Sequence, residues 1–400
     1  MKVPFFRPNI TEREIAEVVT CLRSGWLTTG PMTRQFESDF AAFVGAKHAV
    51  ALNSCTAALH LALEAIGLRR GDLVLVPTMT FAATAEVVRY FDAVPVFVDC
   101  DPHTACIDVA AAATLLARLR SGGFVPGGAR GPVRAIIPVH YAGQMCDADA
   151  IRDLATSYEL AVIEDGAHTL PASFRASSAA PWRSVGTTAD ITCFSFYANK
   201  TITTGEGGMA VTDNAEYAER MRLMSLHGMS KDAWKRFTSS GSWYYEVIAP
   251  GFKYNMTDIA AAIGNVQLSR ATELWEARQQ LARTYHDQLG EIPGLELLAQ
   301  LPDRLHSWHL FSVKLDLAYW KRGRDAFIEG LKQRGIGASV HWMPLHMQPY
   351  YRSTYGLEPA DYPVAASMWP RLVTLPLFPG MTLEEQELVV EAIREMSRDQ

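Results

Sequence analysis

Short apolar runs of four to six residues recur along the first 215 residues of the sequence. They lie at 49–52, 73–77, 94–99, 135–140, 160–165, 191–196 and 209–213. The runs are apolar throughout rather than alternating, which is typical of parallel strands covered on both faces. Helical patterns separate most of them, so the sequence predicts an α/β fold built on an open, doubly wound sheet.

Capping signals and apolar spacing mark the first and last helices. Thr11 with Glu14, and Thr382 with Glu385, each form a capping box ahead of an apolar helical pattern. A helix near the N-terminus carries Phe36, Phe40 and Phe43 at helical spacing.

The pattern changes near residue 250. Thr257 is a good N-cap, and apolar residues recur at helical spacing until Gly290, which predicts one bridging helix of about thirty residues. A strand at 309–317, a helix near 322–334 and a strand at 336–342 follow before the last helix. We therefore expect a large domain over 1–256, with the N-terminal segment, and a bridging helix with a small α+β domain over 257–400.

Charge and cysteine usage exclude several classes of protein. The chain has 400 residues, with 37 Lys and Arg against 43 Asp and Glu, a net charge of −6. This argues against a nucleic-acid or anionic-membrane partner, and no apolar run reaches the ~18 residues of a membrane helix. An early polar N-terminus and six scattered cysteines without a CxxC pair predict a cytoplasmic protein with reduced thiols.

Polar residues follow several of the predicted strands, and ligands of open α/β sheets bind at such strand ends. Ser54, Thr56 and Ala57 open a helix after the strand 49–52, where free N–H groups and the helix dipole favour a phosphate. Taken alone, this segment is better explained by ordinary N-capping by Ser or Thr. The sequence contains neither a P-loop nor a GxGxxG motif after its first strands, which argues against ATP or NAD bound in their usual way.

Three further segments complete a pattern. Asp165 ends the strand 160–165 and His168 follows it, Lys200 lies on a glycine-rich loop, and Phe81 follows the strand 73–77. Each residue has a structural alternative: Asp165 as a helix cap, Lys200 as a solvated loop lysine and Phe81 as a core phenylalanine. Together, however, a phosphate-binding helix start, an aromatic ring, a strand-end aspartate and a loop lysine are what a pyridoxal phosphate (PLP) site requires.

The sequence resembles the DegT/DnrJ/EryC1/StrS family of PLP-dependent sugar aminotransferases. The resemblance rests on motifs spread in order along the chain: RSGWLTTGP (23–31), SCTAALHLAL (54–63), VPTMTFAATAEVV (76–88), IIPVHYAGQ (136–144), IEDGAH (163–168), SFYANKTITTGEGGM (195–209), PGFKYNMTDIAAAIGNVQL (250–268) and SWHLF (307–311). It implies the type I aminotransferase fold, with a mixed, mostly parallel seven-stranded sheet in the large domain. It also implies a homodimer with active sites at the interface.

The resemblance assigns a role to each matching residue. Lys200 matches the Schiff-base lysine and Asp165 the partner of the pyridine nitrogen. The remaining cofactor contacts that it implies are Thr56 and Ala57 on the phosphate loop, Ser195 as a second phosphate ligand, Phe81 as the stacking aromatic, His168 at the phenolic oxygen and Lys253 reaching the phosphate of a neighbouring subunit. Many members have Asn at the position of Lys253, and Cys55 replaces a glycine common in the phosphate loop.

The resemblance also implies the reaction. L-glutamate would donate its amino group to the C4 keto group of a nucleotide-linked 4-keto-6-deoxyhexose, because YANKTITTGEGG and SWYYEVIAPGFKYNMTD (242–258) are most similar to members acting at C4. Amination of C3-keto sugars or keto-cyclitols is the alternative. Candidate sugar contacts are Trp26, Thr28, Tyr197, His341 and His346.

Three other interpretations rank lower. Relatives that catalyse dehydration carry His in place of the Schiff-base lysine, so Lys200 argues against a dehydratase. A non-catalytic regulator would need an added DNA-binding region, which the sequence before Arg23 does not indicate. His341 and His346 lack an evident third ligand, so no metal site is predicted.

Overall fold

The computed structural model describes residues 1–230 and 245–398. Within these ranges the strands are β1 (His48–Leu52), β2 (Leu73–Pro77), β3 (Val94–Val98), β4 (Val133–Ile136), β5 (Ala161–Asp165), β6 (Ser173–Phe174), β7 (Arg183–Ser184), β8 (Ile191–Ser195), β9 (Gly208–Thr212), β10 (Leu295–Leu297), β11 (Arg304–Leu305), β12 (Phe311–Leu315) and β13 (Leu372–Leu375). The α-helices are α1 (Glu12–Ser24), α2 (Pro31–Val44), α3 (Cys55–Ala65), α4 (Ala82–Arg89), α5 (Val109–Arg120), α6 (Ala148–Tyr158), α7 (Ala215–Ser225), α8 (Asp258–Ser269), α9 (Ala271–Leu289), α10 (Gly323–Gln333), α11 (Pro349–Tyr355), α12 (Pro363–Met368) and α13 (Leu383–Arg398).

The central sheet contains, within the described ranges, seven strands in the order β1-β9-β8-β5-β4-β2-β3. β9 is antiparallel to β1 and β8, whereas the neighbours from β8 through β5, β4 and β2 to β3 are parallel. The sheet is therefore mixed and mostly parallel, and each predicted run from 49–52 to 209–213 contributes a strand. Because β1 and β8 both oppose β9, the carboxyl ends of β1, β2, β5 and β8 lie at one edge.

The predicted strand 135–140 was too long, because β4 stops at Ile136. Pro138 follows and has no N–H to continue a ladder. On both faces of the sheet, helices bury apolar side chains, and α3 is buried along nearly its whole length. The burial on both sides explains why the strands read as uninterrupted apolar runs.

The capping signals are confirmed at both ends of the chain. Thr11 and Glu14 form the capping box of α1, and Thr382 and Glu385 exchange hydrogen bonds ahead of α13. Phe36 and Phe40 of α2 are fully buried.

The predicted long helix was wrong in one respect. Thr257 caps its start and Gly290 its end, but Arg270, at φ −107° and ψ 2°, divides it into α8 and α9. The Arg270 guanidinium donates to Glu14 at 2.7 Å, so its side chain is bound to α1 where the helix breaks. The predicted domain boundary at 256/257 stays a prediction.

The C-terminal region has its own antiparallel sheet, β10-β12-β13. The predicted strand 336–342 was wrong, because this segment forms only single bridges, from Ile336 to Val3 and from Ser339 to Thr374. Its place in the sheet is taken by β13, which the sequence did not indicate. Val3, fully buried, packs in the same core as α9, α10 and α13.

Two long loops have defined structures. The 169–186 stretch contributes β6 and β7, which form a small sheet with β11. The glycine-rich stretch 121–132 contains a short 3₁₀ turn at Pro126–Gly128. All six cysteines are buried and unpaired. Among the described residues, every helix is too short or too polar to cross a bilayer.

Candidate active site

The start of α3 lies directly after the carboxyl end of β1. Ser54 is its N-cap and accepts a hydrogen bond from the N–H of Ala57 at 3.0 Å. The N–H groups of Cys55 and Thr56 have no acceptor inside the helix, and the helix dipole makes this end attractive to an anion. Ala57 is buried and Thr56 is partly exposed, so a phosphate could approach here.

Gly208 brings a second element against this helix start. A Cβ atom at Gly208 would lie 2.3 Å from the carbonyl carbon of Ser54, so only glycine allows β9 to pass this close. Gly208 is paired with Ser195 across β8 and β9, which places Ser195 beside the start of α3. The structure therefore brings Thr56, Ala57 and Ser195 to one place.

Asp165 ends β5 at the same edge of the sheet. Its side chain is 5% exposed and accepts hydrogen bonds from the Thr84 hydroxyl at 2.8 Å and the Ala167 N–H at 3.1 Å. Burial raises its pKa, and the two hydrogen bonds and the charge of Lys200 oppose that rise. Glu164, the preceding residue, points to the other face and accepts from the Thr188 hydroxyl at 2.6 Å.

Lys200 follows β8 on a tight turn in which its N–H bonds the carbonyl of Tyr197 at 2.9 Å. Burial lowers the pKa of its amine to about 8, and the carboxylate of Asp165 and the thiol of Cys55 partly counteract this effect. An amine with this pKa can gain or lose a proton near neutral pH. Its Nζ lies 3.5 Å from Nε2 of His309.

His168 presents a defined ring nitrogen to the site. Burial and the charge of Lys200 hold its pKa well below the ordinary value, so the ring is neutral. Its Nδ1 accepts the N–H of Ala142 at 3.2 Å, which leaves the proton on Nε2. His168 therefore offers an N–H donor, as a contact to a phenolic oxygen requires. Trp342 stacks on its ring with centroids 5.0 Å apart.

Phe81 precedes α4 and is 59% exposed, so the structural alternative of a core phenylalanine is wrong. It lines an open cleft of about 600 Å³ together with Tyr90, Trp342, Tyr350 and Tyr351. Glu86 and Arg89 are the charged residues of its lining. Since Trp342 also stacks on His168, the cleft adjoins the residues around Lys200.

Lys253 lies apart from these groups. It is exposed, and its amine donates to Asn255. The N–H of Asn53 bonds the carbonyl of Tyr254 at 2.7 Å, which holds this segment beside the helix start of α3. Within the described part of the chain, the Lys253 amine makes no hydrogen bond to Thr56, Asp165 or Lys200.

The candidate sugar contacts are dispersed. His346 is fully buried and bonds the Thr78 hydroxyl at 2.7 Å, which indicates a packing role. The pKa of His341 falls to about 4 through burial and the charge of Lys200, so His341 lies near the site. Tyr197 is 48% exposed in the Lys200 turn. Trp26 donates to the Thr29 carbonyl at 3.1 Å, and Thr28 is exposed on the same segment.

Residues 242–244 of the motif SWYYEVIAPGFKYNMTD lie outside the described residues. In the part of the chain that the structure describes, no group of three or more His, Cys, Asp or Glu side chains is arranged to hold a metal ion.

Three site residues were missed. Thr84, Trp342 and His309 contact Asp165, His168 and Lys200 respectively. The motif SWHLF includes His309, so a signal was present, but its sequence separation from Lys200 of 109 residues gave no reason to pair the two.

This arrangement fits PLP. The close approach of Gly208, the unpaired N–H groups at the start of α3 and the hydroxyl of Ser195 fit a phosphate. The buried carboxylate of Asp165 fits a protonated ring nitrogen, and the exposed face of Phe81 fits a planar ring.

Comparison with known proteins supports this interpretation. The sequence pattern of the DegT/DnrJ/EryC1/StrS aminotransferase family matches residues 8–394. The spore coat polysaccharide biosynthesis protein SpsC of Bacillus subtilis is 43% identical over 396 residues, which cover 98% of this chain and 97% of SpsC.

Solved structures of sugar aminotransferases also match this chain. Spr1654 of Streptococcus pneumoniae, described as a sugar aminotransferase, matches in its PMP form with a TM-score of 0.88 and 32% identity over 99% of both chains, and it is also known in a PLP form. PseC of Helicobacter pylori, an aminotransferase of pseudoaminic acid biosynthesis, matches over 100% of this chain and of its own with a TM-score of 0.87 and 26% identity.

The fold and the family together define a PLP-dependent aminotransferase of the type I fold, as predicted. The chain belongs to the DegT/DnrJ/EryC1/StrS aminotransferase family.

Proposed function

We propose that this protein is a sugar aminotransferase that moves the amino group of L-glutamate to the C4 keto group of a nucleotide-linked 4-keto-6-deoxyhexose. The observation that carries the proposal is the partly buried amine of Lys200, set at the same sheet edge as Asp165 and the start of α3. The names of SpsC and PseC, which concern polysaccharide and pseudoaminic acid biosynthesis, support a sugar as acceptor.

PLP, when bound, supplies an electron-withdrawing ring that stabilises negative charge on the carbon next to the amine. Lys200 is the residue that would join it covalently. The same amine is the natural general acid and base, because its pKa of about 8 lets Nζ take up or release a proton near neutral pH.

Asp165 would hold a proton on the ring nitrogen. Its two oxygens accept only one hydrogen bond each from Thr84 and Ala167, so lone pairs remain for a cationic partner. His168 would donate its Nε2 proton to the phenolic oxygen, since Nδ1 is already an acceptor. Phe81 would cover one face of the ring.

Thr56, Ala57 and Ser195 would hold the phosphate, with the helix dipole of α3 adding to the attraction. Lys253, exposed and outside its own chain's cluster, would reach the phosphate of a second copy. We therefore include a homodimer with shared active sites in the proposal.

The aromatic cleft beyond Phe81 and Trp342 would receive the acceptor. Its volume of about 600 Å³ exceeds that of a hexose alone, which supports a nucleotide-linked sugar. Tyrosine rings along this cleft can stack on a sugar or a base.

Replacing Lys200 with Ala tests the assignment. The variant should lose turnover and the ~410–430 nm absorbance expected of bound PLP. Lys332→Ala, an exposed lysine on α10, is the control and should behave as the wild type. A fully active Lys200→Ala protein would exclude the proposed role.

The acceptor is tested separately. Purified protein with PLP and L-glutamate is mixed with nucleotide-linked 4-keto sugars, 3-keto sugars and keto-cyclitols, and 2-oxoglutarate release is followed. NMR of the product identifies the aminated carbon. Turnover with a 3-keto sugar or a keto-cyclitol, and none with the 4-keto sugars, would overturn the C4 assignment.

A further inference from the structure

The turn that carries the SWHLF motif reaches the proposed cofactor lysine. His309 is 5% exposed, and its Nε2 lies 3.5 Å from Nζ of Lys200. The ring also lies against His168, with centroids 4.4 Å apart. No role for His309 follows from the residues assigned above.

The contact fixes the tautomer of His309. Burial and the positive charge of Lys200 hold its pKa well below the ordinary value, so the ring is neutral. When Lys200 is an ammonium group, a protonated Nε2 would place an N–H donor against its N–H donors, so Nε2 is then the acceptor. The ring proton is then on Nδ1, where no described residue accepts it.

The two adjacent histidines therefore present opposite groups. His168 offers an N–H, because Ala142 occupies its Nδ1, and His309 offers a lone pair. His168 can therefore donate to a phenolic oxygen, and His309 can accept from an amine.

The side chains of Ser307 and Arg278 hold the turn that carries His309 in place. The Ser307 hydroxyl donates to the carbonyl of His168 at 2.5 Å, which ties the turn to the residue beside the site. The fully buried Arg278 donates to the carbonyls of Trp308 at 3.2 Å and His309 at 3.4 Å. A buried guanidinium used in this way fixes the backbone on both sides of the turn.

We propose that His309 is a positioning residue for Lys200, whose Nε2 accepts an N–H of the lysine amine and fixes the direction in which that amine points. The inference rests on the proposed role of Lys200 as the cofactor lysine. It adds that the free amine has a fixed hydrogen-bond acceptor within the protein.

The titration of Lys200 reports this contact. Burial lowers its pKa to about 8, while Asp165 and Cys55 raise it, and the neutral rings of His168, His309 and His341 lie within its electrostatic reach. An acceptor that bonds the ammonium form raises the pKa of an amine. Removing the His309 acceptor should therefore lower the pKa of Lys200 further. Water entering a damaged site would do the reverse and raise it towards the ordinary value of 10.5.

The experiment compares His309→Leu with His309→Gln in the full-length, cofactor-free protein. Acetylation of Lys200 by acetic anhydride is measured by peptide mass spectrometry as a function of pH. We expect a midpoint near 8 for the wild type. The midpoint should fall by about one pH unit in the Leu variant, since charged hydrogen bonds are worth about this much. The Gln variant should stay near the wild type, because its amide oxygen can replace Nε2.

His306→Leu is the matched control, because His306 lies on the same turn, stacks on Trp308 and bonds the Trp308 N–H through Nδ1 rather than the amine of Lys200. Its midpoint should not fall. In the PLP-loaded enzyme, His309→Leu should lower kcat about tenfold with KM for glutamate unchanged, and His309→Gln should recover most of the loss.

An unchanged or raised midpoint in His309→Leu, or a Gln variant that behaves like Leu, would overturn the proposal. Neither result would bear on the assignment of Lys200 itself, because that is decided by the turnover and absorbance of Lys200→Ala.

Discussion

Gly208→Ala is predicted to weaken PLP binding through a backbone contact alone. The added Cβ would lie 2.3 Å from the carbonyl carbon of Ser54, 2.4 Å from its oxygen and 2.5 Å from the nitrogen of Cys55. Ordinary contact begins at 3.4 Å, so β9 or the start of α3 must move by about 1 Å. The contacting atoms are all main chain, so no side chain can turn away to relieve the clash.

The displaced atoms are those proposed to hold the phosphate. We expect the free energy of unfolding of the cofactor-free protein to fall by about 1–3 kcal/mol, as for other overpacked sites. A displacement of this size at a preorganised site should weaken PLP binding by roughly ten- to a hundredfold. Titration of the cofactor-free protein with PLP, followed by absorbance, measures the affinity, and urea unfolding measures the stability.

Gly25→Ala separates the two effects. Gly25 has φ +76°, and no atom lies within 4 Å of the position that a Cβ would take, so the substitution strains the C-cap of α1 without a clash near the site. It should lower stability by about 1–2 kcal/mol and leave PLP affinity unchanged. Wild-type PLP affinity in Gly208→Ala would refute the reasoning that this strand confines the phosphate loop.

Three further outcomes are expected. Phe81→Ala should weaken PLP binding with little loss of stability, measured by PLP titration and urea unfolding, because the ring is 59% exposed. Burial alone would raise the pKa of Glu14, but its hydrogen bonds outweigh burial and lower it to about 2. The difference in unfolding free energy between the wild type and Glu14→Gln, measured by urea unfolding at a series of pH values, should therefore be largest above pH 4.5. It should disappear as the pH falls towards 2. The inactive Lys200→Ala and Lys253→Ala proteins can also be mixed and allowed to exchange subunits. About a quarter of wild-type turnover should return if the active sites are shared between subunits, and none should return if Lys253 acts within its own chain.

The sequence reveals the central sheet because its strands are buried on both faces, and it reveals Asp165 and Lys200 because charged side chains directly follow those strands. Features set by distant partners were not predictable in the same way. Arg270 interrupts a helical pattern where its side chain bonds Glu14, 256 positions away. β13 is only four residues long and lies between Pro370 and Pro376, so it gives little periodicity to detect.

The pairing of Val3 with Ile336 has a consequence for how the protein is made. Val3 leaves the ribosome long before Ile336 is synthesised, so this part of the C-terminal core must remain incomplete until then. A deletion or a bulky fusion next to Val3 should therefore damage the core around Ile336, while the central sheet can still assemble.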